Sequence, residues 1–269
     1  MKRGEVVRGT KTALVTGASE GIGRCYADRL CALGYNLVIV SNHEQRIEQA
    51  AAELREKYPD ADVRAVAMDL ARENAAHELY ALMKSTGTEI DVLINNAGMF
   101  SFLDILKTPA ERISRLLLLH DMTLTLNCRL FAEDMARRGG GHILNMSSFS
   151  IWMPFPGLAL YSASKAYVKS FSVAFAKEVR EKNIRCTTVC PAGIATDLYG
   201  LPRDWQRFGL RIGALMSPDR CAKKGLRAMW RGKRKCVPDW WNKIFIPFCL
   251  IIPYPLMKVL RRMTDRFQK

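Results

Sequence analysis

The chain has 269 residues, 49% of them hydrophobic, enough for one large α/β domain or two small ones, and no break in composition argues for two. Eight cysteines (25, 31, 128, 186, 190, 221, 236 and 249) are scattered with no C-x-x-C pair, which argues against a disulfide framework or a metal site and for a reducing, cytoplasmic setting. The formal charge of +15 lies almost wholly in the last part of the chain: from Gly200 to Lys269, 17 Lys and Arg face 4 Asp and Glu, a net of +13.

In chain order, short Val-, Ile- and Leu-rich runs alternate with longer amphipathic stretches, the pattern of a parallel sheet covered by helices. The basic start, 1–8, is followed by no apolar stretch before Gly17, so neither a signal nor a transit peptide is expected. Residues 12–16 read as the first strand and lead into Gly17-Ala-Ser-Glu-Gly21-Ile-Gly23. Glycines so placed between a strand and a helix can serve a tight turn, a backbone approach to a pyrophosphate and close helix packing, although a plain tight turn competes. A helix over 24–33 should stop at Gly34, and 36–41 is the second strand.

The residues just past this strand, Ser41-Asn42-His43-Glu44-Gln45-Arg46, should meet an adenosine ribose. No Asp ends the strand, so the mark of a free 2′-hydroxyl is missing. Arg46, with His43 as a second candidate, could reach a 2′-phosphate; Glu20 and Glu44 oppose it, so the reading leans modestly to NADP over NAD. A helix over 44–58, a strand over 62–68 and a helix over 74–86 follow, with Asp69 placed to accept an adenine amino group. The fourth strand ends in Asn95-Asn96-Ala97-Gly98, where amides could pin neighbouring strands or admit a flat ring. Thr108-Pro109 suits a helix entry, Thr as the cap and Pro as the first helical residue, into a long helical region that runs to about Arg138. Residues 143–146 are the fifth strand, with Ser147 and Ser148 at the carboxyl edge where open α/β sheets place ligands.

The helix over 158–182 carries Tyr161-x-x-x-Lys165, a spacing that stacks a phenol and an ammonium on one face. A free tyrosine titrates near ~10. A nearby cation lowers such a group by about 1 to 3 units, and a second positive charge, such as an oxidised nicotinamide, would help complete a shift to neutrality. The sixth strand, 185–190, leads into Pro191-Ala-Gly-Ile194-Ala-Thr196.

With these pieces in order, residues 10 to 200 resemble the short-chain dehydrogenase/reductase family: Thr16-Gly17-x-x-x-Gly21-x-Gly23, Asn95-Asn-Ala-Gly98, Ser148, Tyr161-x-x-x-Lys165 and the 191–196 segment. The resemblance implies a Rossmann-type doubly wound parallel sheet in a single domain, a nicotinamide cofactor and a homo-oligomer such as a dimer. It makes Tyr161 the general acid/base, Lys165 its pKa-lowering and ribose-binding partner, and Ser148 the donor to the substrate oxygen. Its cofactor contacts would be Gly17, Ser19, Glu20, Gly21, Ile22, Gly23, Asn42, Arg46, Asp69, Asn95, Ala97, Tyr161, Lys165, Pro191, Ile194 and Thr196. Where family members carry a catalytic Asn in the long helix, a count back from Met135 lands on Asp121. Pro191-Ala192 replaces the familiar Pro-Gly, and Glu20 stands where NADP-dependent members often have a basic residue.

The catalytic domain is expected over 1–238, with a lid at about 197–216 of few regular signals, a helix started by Ser217-Pro218-Asp219 and a last strand near Val237. Residues 239–269 form a basic, Pro-interrupted apolar extension whose apolar run of 14 residues is too short for a bilayer that needs roughly 20. It suits peripheral contact with anionic lipid through 240–262, or packing over the pocket. The expected function is interconversion of a ketone and a secondary alcohol on an apolar, lipid-like or steroid-like substrate. The alternatives are a 3-oxoacyl-thioester reductase and a non-catalytic cofactor-binding scaffold, which retention of both Tyr161 and Lys165 argues against. No motif supports nucleic-acid binding by the tail.

Overall fold

The computed structural model describes residues 10–153, 155–239, 244 and 246. The expected lipid contact through 240–262 therefore lies almost wholly outside the described residues. Seven parallel strands form one sheet in the order β3-β2-β1-β4-β5-β6-β7: β1 Thr12–Thr16, β2 Asn36–Ser41, β3 Val63–Ala67, β4 Val92–Asn95, β5 Gly141–Met146, β6 Ile184–Val189 and β7 Lys235–Cys236. The inner strands β1, β2 and β4 are buried on both sides, which is why they read as continuous apolar runs, whereas the edge strands β3 and β7 are partly exposed. Alternation splits them between two cores. Ala13, Val15, Leu37 and Ile39 pack under α1 (Gly21–Ala32), α2 (Glu44–Lys57) and α8 (Pro218–Trp230). Leu14, Val38, Leu93 and Ile143 pack under α3 (Ala75–Ser85), α5 (Leu124–Arg137) and α6 (Ala159–Glu178).

The strand order reverses direction between β1 and β4, so the chain leaves these neighbours toward opposite faces and opens a crevice at their carboxyl ends, the usual place for a ligand in such sheets. The sequence-derived strands and helices agree with these to within a few residues, apart from three departures. Thr108 is not a helix cap: its hydroxyl donates back to Asp104 O at 2.9 Å, and Pro109, with ψ 139°, precedes α4 (Ala110–Leu117) rather than opening it. The long helical region is interrupted by a π-helical stretch, Leu118–Thr123, between α4 and α5. The lid contains a helix, α7 (Arg203–Arg211), where no regular element was expected. Ser217 does cap α8, accepting from Arg220 N at 3.3 Å.

Candidate active site

The glycine turn links β1 to α1. Gly17 and Gly21 have φ of 64° and 59°, conformations that disfavour side chains. Gly23 serves contact: a β-carbon there would lie 2.0 Å from Gly17 O. Thr16 and Asn96 lock this turn to the end of β4. Thr16 Oγ1 accepts from the N–H groups of Asn96 and Ala97, both at 3.0 Å, and Asn96 Nδ2 donates to the carbonyls of Thr16 and Gly17, both at 3.0 Å. Glu20, ahead of α1, makes no side-chain cap, so the first-turn N–H groups and the helix dipole face the crevice, as a phosphate requires.

The crevice is a cleft of about 730 Å³, within the range of small-molecule sites. Its walls include Gly17, Ser19, Glu20, Gly21, Ile22, Asn42, Asp69, Ala97, Ser148, Tyr161, Lys165, Pro191, Ile194 and Thr196, so most of the sequence-derived site residues share one cavity. Four do not line it. Gly23 packs beneath the turn. Asn95 faces into the sheet, buried, donating to Asn145 Oδ1 at 2.9 Å and accepting from Asn127 Nδ2 at 3.2 Å; it pins strands, and its neighbour Asn96 faces the cleft. Arg46 is exposed and paired with Glu20 at 3.3 Å. Asp121 is half-buried beside the cleft, its Oδ1 without a partner among the described residues. Asp69 lines the cleft with both carboxylate oxygens engaged, Oδ1 by Ala71 N at 2.9 Å and Oδ2 by Arg115 at 2.8 Å.

At the reacting end, Ser148, Tyr161 and Lys165 are all buried. Ser147 Oγ donates to Lys165 O at 2.7 Å and fastens α6 to the end of β5. The Ser148 side chain adjoins the phenol and favours its ionisation. Lys165 Nζ donates to Met146 O at 3.1 Å and lies 5.8 Å from the centre of the Tyr161 ring. Burial pushes the phenol up to about 12 against the lowering effect of Ser148. Burial also lowers Lys165 to about 8, opposed by Asp121. With these groups alone the phenol is held protonated, where the Lys165 spacing led to an expected lowering, because burial outweighs the opposing effect of Ser148.

Sequence reasoning missed His120. This residue, in the π-helical stretch and 1% exposed, accepts from Met99 N at Nε2 (3.0 Å), so its proton sits on Nδ1, which reaches Ser164 Oγ at 2.9 Å. Ser164 donates onward to Tyr161 O at 2.9 Å. Burial and Lys165 hold the imidazole pKa well below its ordinary value. The helix thus sends a neutral His120, not Asp121, to join the end of β4 to the helix bearing Tyr161.

Aromatic rings close the substrate side. Phe100 meets Tyr161 edge-on at 5.1 Å and Tyr199 at 4.9 Å, and Phe102 stacks on Phe155 at 6.1 Å. Ile246 packs against the adjoining cluster of Phe149, Cys190 and Val237. The arrangement can hold a flat, polar ring and a phosphate at one end and an apolar molecule with one oxygen at the other. No helix of the described residues is long and apolar enough to cross a membrane.

The family profile described as short chain dehydrogenase matches residues 11–207. The chain is 34% identical over 174 residues to a very-long-chain 3-oxoacyl-CoA reductase of Pyricularia oryzae, a match that covers 64% of this chain and 53% of that protein. The chain spans about half to three-fifths of the length of the curated relatives it matches. Among solved structures, a short-chain dehydrogenase from Sphingobium yanoikuyae in complex with NADPH is similar with a TM-score of 0.76 and 29% identity, over 87% of this chain and 91% of that one. The bulky-bulky ketone specific alcohol dehydrogenase from Comamonas testosteroni has a TM-score of 0.75 and 28% identity, over 91% and 95%.

Proposed function

The chain belongs to the short chain dehydrogenase family, and on that premise we propose that it interconverts a ketone and a secondary alcohol on an apolar, lipid-like substrate, with NADP(H) as the favoured cofactor. The observation that carries this reading is the meeting of the Ser148 hydroxyl, the Tyr161 phenol and the Lys165 ammonium in the cleft that begins at the glycine turn. A dinucleotide fits what is there: the left-handed glycine turn and the α1 N-terminus suit its pyrophosphate, and Lys165 and the Pro191–Thr196 segment suit its nicotinamide half. When bound, the cofactor supplies or takes up a hydride.

Ser148 would donate to the substrate oxygen and fix the carbonyl. Tyr161, protonated at neutral pH, would pass its proton to that oxygen as negative charge develops on it, so the isolated site favours reduction. Lys165 would stabilise the resulting phenolate, and His120 with Ser164 would hold α6 in register with the end of β4. The Phe100, Tyr199 and Phe102 rings exclude water and favour a hydrocarbon body over a sugar-like one. A 3-oxoacyl thioester is the second reading, supported by the name of the Pyricularia oryzae relative and by the same apolar wall. We further propose the 197–216 segment as a lid, since Asp197, Leu198, Tyr199 and Gln206 all stand in the cleft wall, and a homo-oligomer as the assembled state.

For the cofactor, Arg46 would bind a 2′-phosphate but is held by Glu20 at the cleft rim. Assay of a panel of long-chain and steroidal ketones and 3-oxoacyl thioesters, with NADPH and NADH side by side, tests both points. Reduction of lipid-like ketones with a preference for NADPH is expected. Because an exposed ion pair is worth up to about 1 kcal/mol, Glu20→Gln should lower the KM for NADPH by up to about fivefold, and Arg46→Ala should raise it similarly, with NADH little changed. A panel without turnover, or a preference for small polar carbonyls, contradicts the substrate class, and an Arg46→Ala variant indifferent to the cofactor contradicts the NADP reading.

A further inference from the structure

Helix α7 is amphipathic with its apolar side turned outward. Its buried residue is Gly209, which lies so near Leu215 that a β-carbon would come within 2.7 Å of Leu215 Cδ1. Gln206, one turn earlier, is tied inward to Asp197 Oδ1 at 3.1 Å and Leu201 O at 2.9 Å. Trp205, Phe208 and Ile212 are 65%, 54% and 60% exposed. Their spacing of three and four residues makes them one stripe on the outer side. Trp205 and Phe208 touch edge to face with centroids 6.4 Å apart. Leu198, in the turn leading to this helix, is 44% exposed and also belongs to the cleft wall, so the exposed apolar segment begins at the cleft itself.

The charges on α7 are as one-sided as the apolar residues. Arg203, Arg207 and Arg211 recur every fourth residue and are exposed, and the helix's one carboxylate, Asp204, is paired with Arg207. Residues 200–239 carry eleven Lys and Arg against three Asp and Glu. A second copy of so basic a face would repel it, and a stripe one short helix wide falls short of the roughly 1,000 Å² a stable protein interface needs. Large aromatic and aliphatic side chains flanked by arginines are what the boundary between lipid headgroups and acyl chains accepts.

We propose that α7 docks the protein on an anionic membrane surface. Trp205, Phe208 and Ile212 enter the boundary layer, and Arg203 and Arg211 pair with lipid phosphates and carboxylates. The cleft mouth then rests against the phase in which an apolar substrate dissolves. The docking is read as binding, without turnover, so it stands or falls separately from the proposed reaction.

The test uses the full chain with vesicles of phosphatidylcholine alone and with phosphatidylserine added. Sedimentation with the anionic vesicles, weakened by salt, and quenching of tryptophan fluorescence by brominated lipid are expected. Trp205→Ser/Phe208→Ser should lose that quenching and most of the binding while its circular-dichroism spectrum and Tm stay those of the unaltered chain. At about a factor of five per surface cation, Arg203→Gln/Arg211→Gln should bind anionic vesicles some twentyfold more weakly. Four outcomes would overturn the proposal: no sedimentation of the unaltered chain, equal binding to neutral vesicles, a Trp205→Ser/Phe208→Ser variant that sediments as before, or a variant whose native mass falls because the stripe joins two copies.

Discussion

Tyr161→Phe should lower kcat for carbonyl reduction by about a thousandfold, the usual worth of a positioned proton donor, while the Kd for NADPH stays within about twofold because the ring and its packing remain. The ring's edge contacts with Phe100 at 5.1 Å and His120 at 6.0 Å do not involve the hydroxyl, so the fold should tolerate the change. The hydroxyl adjoins the Ser148 side chain, and burial pushes its pKa up to about 12. Loss of the donor therefore removes chemistry and little else. The pH dependence follows from the neighbouring ammonium. Lys165, lowered to about 8, is charged below that pH and loses its proton above it. The charge that stabilises a developing phenolate is thus present at neutral pH and removed as pH rises through about 8, so reduction should slow on the alkaline side. Lys165→Met should be slow at all pH values and lack that limb. Stopped-flow assays of single turnovers across pH would read both effects. A Tyr161→Phe variant with unchanged kcat would remove the acid role from this residue.

Gly23→Ala should have the largest effect on folding and cofactor binding together. The added methyl would sit 2.0 Å from Gly17 O and 2.8 Å from Gly17 C, and 2.6 Å from Asn96 Nδ2. Two of these three atoms are backbone, and the third is already committed to the Thr16 and Gly17 carbonyls. Relief requires α1 to move off the turn, a strain of the order of 3 kcal/mol. For a domain of this size that corresponds to a Tm lower by roughly 6 to 12 °C. Displacement of α1 also withdraws the N–H groups that face the phosphate, so NADPH should bind at least about a hundredfold more weakly even in the fraction that folds. Thermal unfolding with and without NADPH separates the two effects: the cofactor should raise the Tm of the unaltered protein and leave that of Gly23→Ala nearly unmoved. Equal stabilisation of both would mean that the turn does not bind the dinucleotide.

The elements that follow from burial were legible in the sequence. A parallel strand covered on both sides has to be apolar throughout, so β1, β2 and β5 stand out as short Val, Ile and Leu runs, and the glycine turn follows from where β1 ends. The Tyr161 and Lys165 pair was legible because a helix fixes the relation of residues four apart. The long helical region was less so. A π turn takes in one residue more than an α turn, so any face followed by count across Leu118–Thr123 is displaced, and the side chain that reaches Met99 and Ser164 is His120 where counting arrives at Asp121. Asn95 and Asn96 are alike in composition, and only the alternation of the strand end sends one into the sheet and the other to the cleft. Helix α7 was hidden because its outward apolar stripe and buried Gly209 invert the usual pattern of a helix that packs on its domain.

The central claim is that the cleft brings a nicotinamide and a ketone together for direct hydride transfer, with Tyr161 supplying the proton. Its most direct test is reduction of a long-chain ketone with NADPH carrying deuterium on the transferable side of the nicotinamide, followed by mass spectrometry of the alcohol. The account predicts one deuterium on the carbinol carbon with labelled NADPH and none on that carbon when unlabelled NADPH is used in heavy water. An alcohol that takes its carbon-bound hydrogen from solvent, or no alcohol with either face labelled and either cofactor, would contradict it.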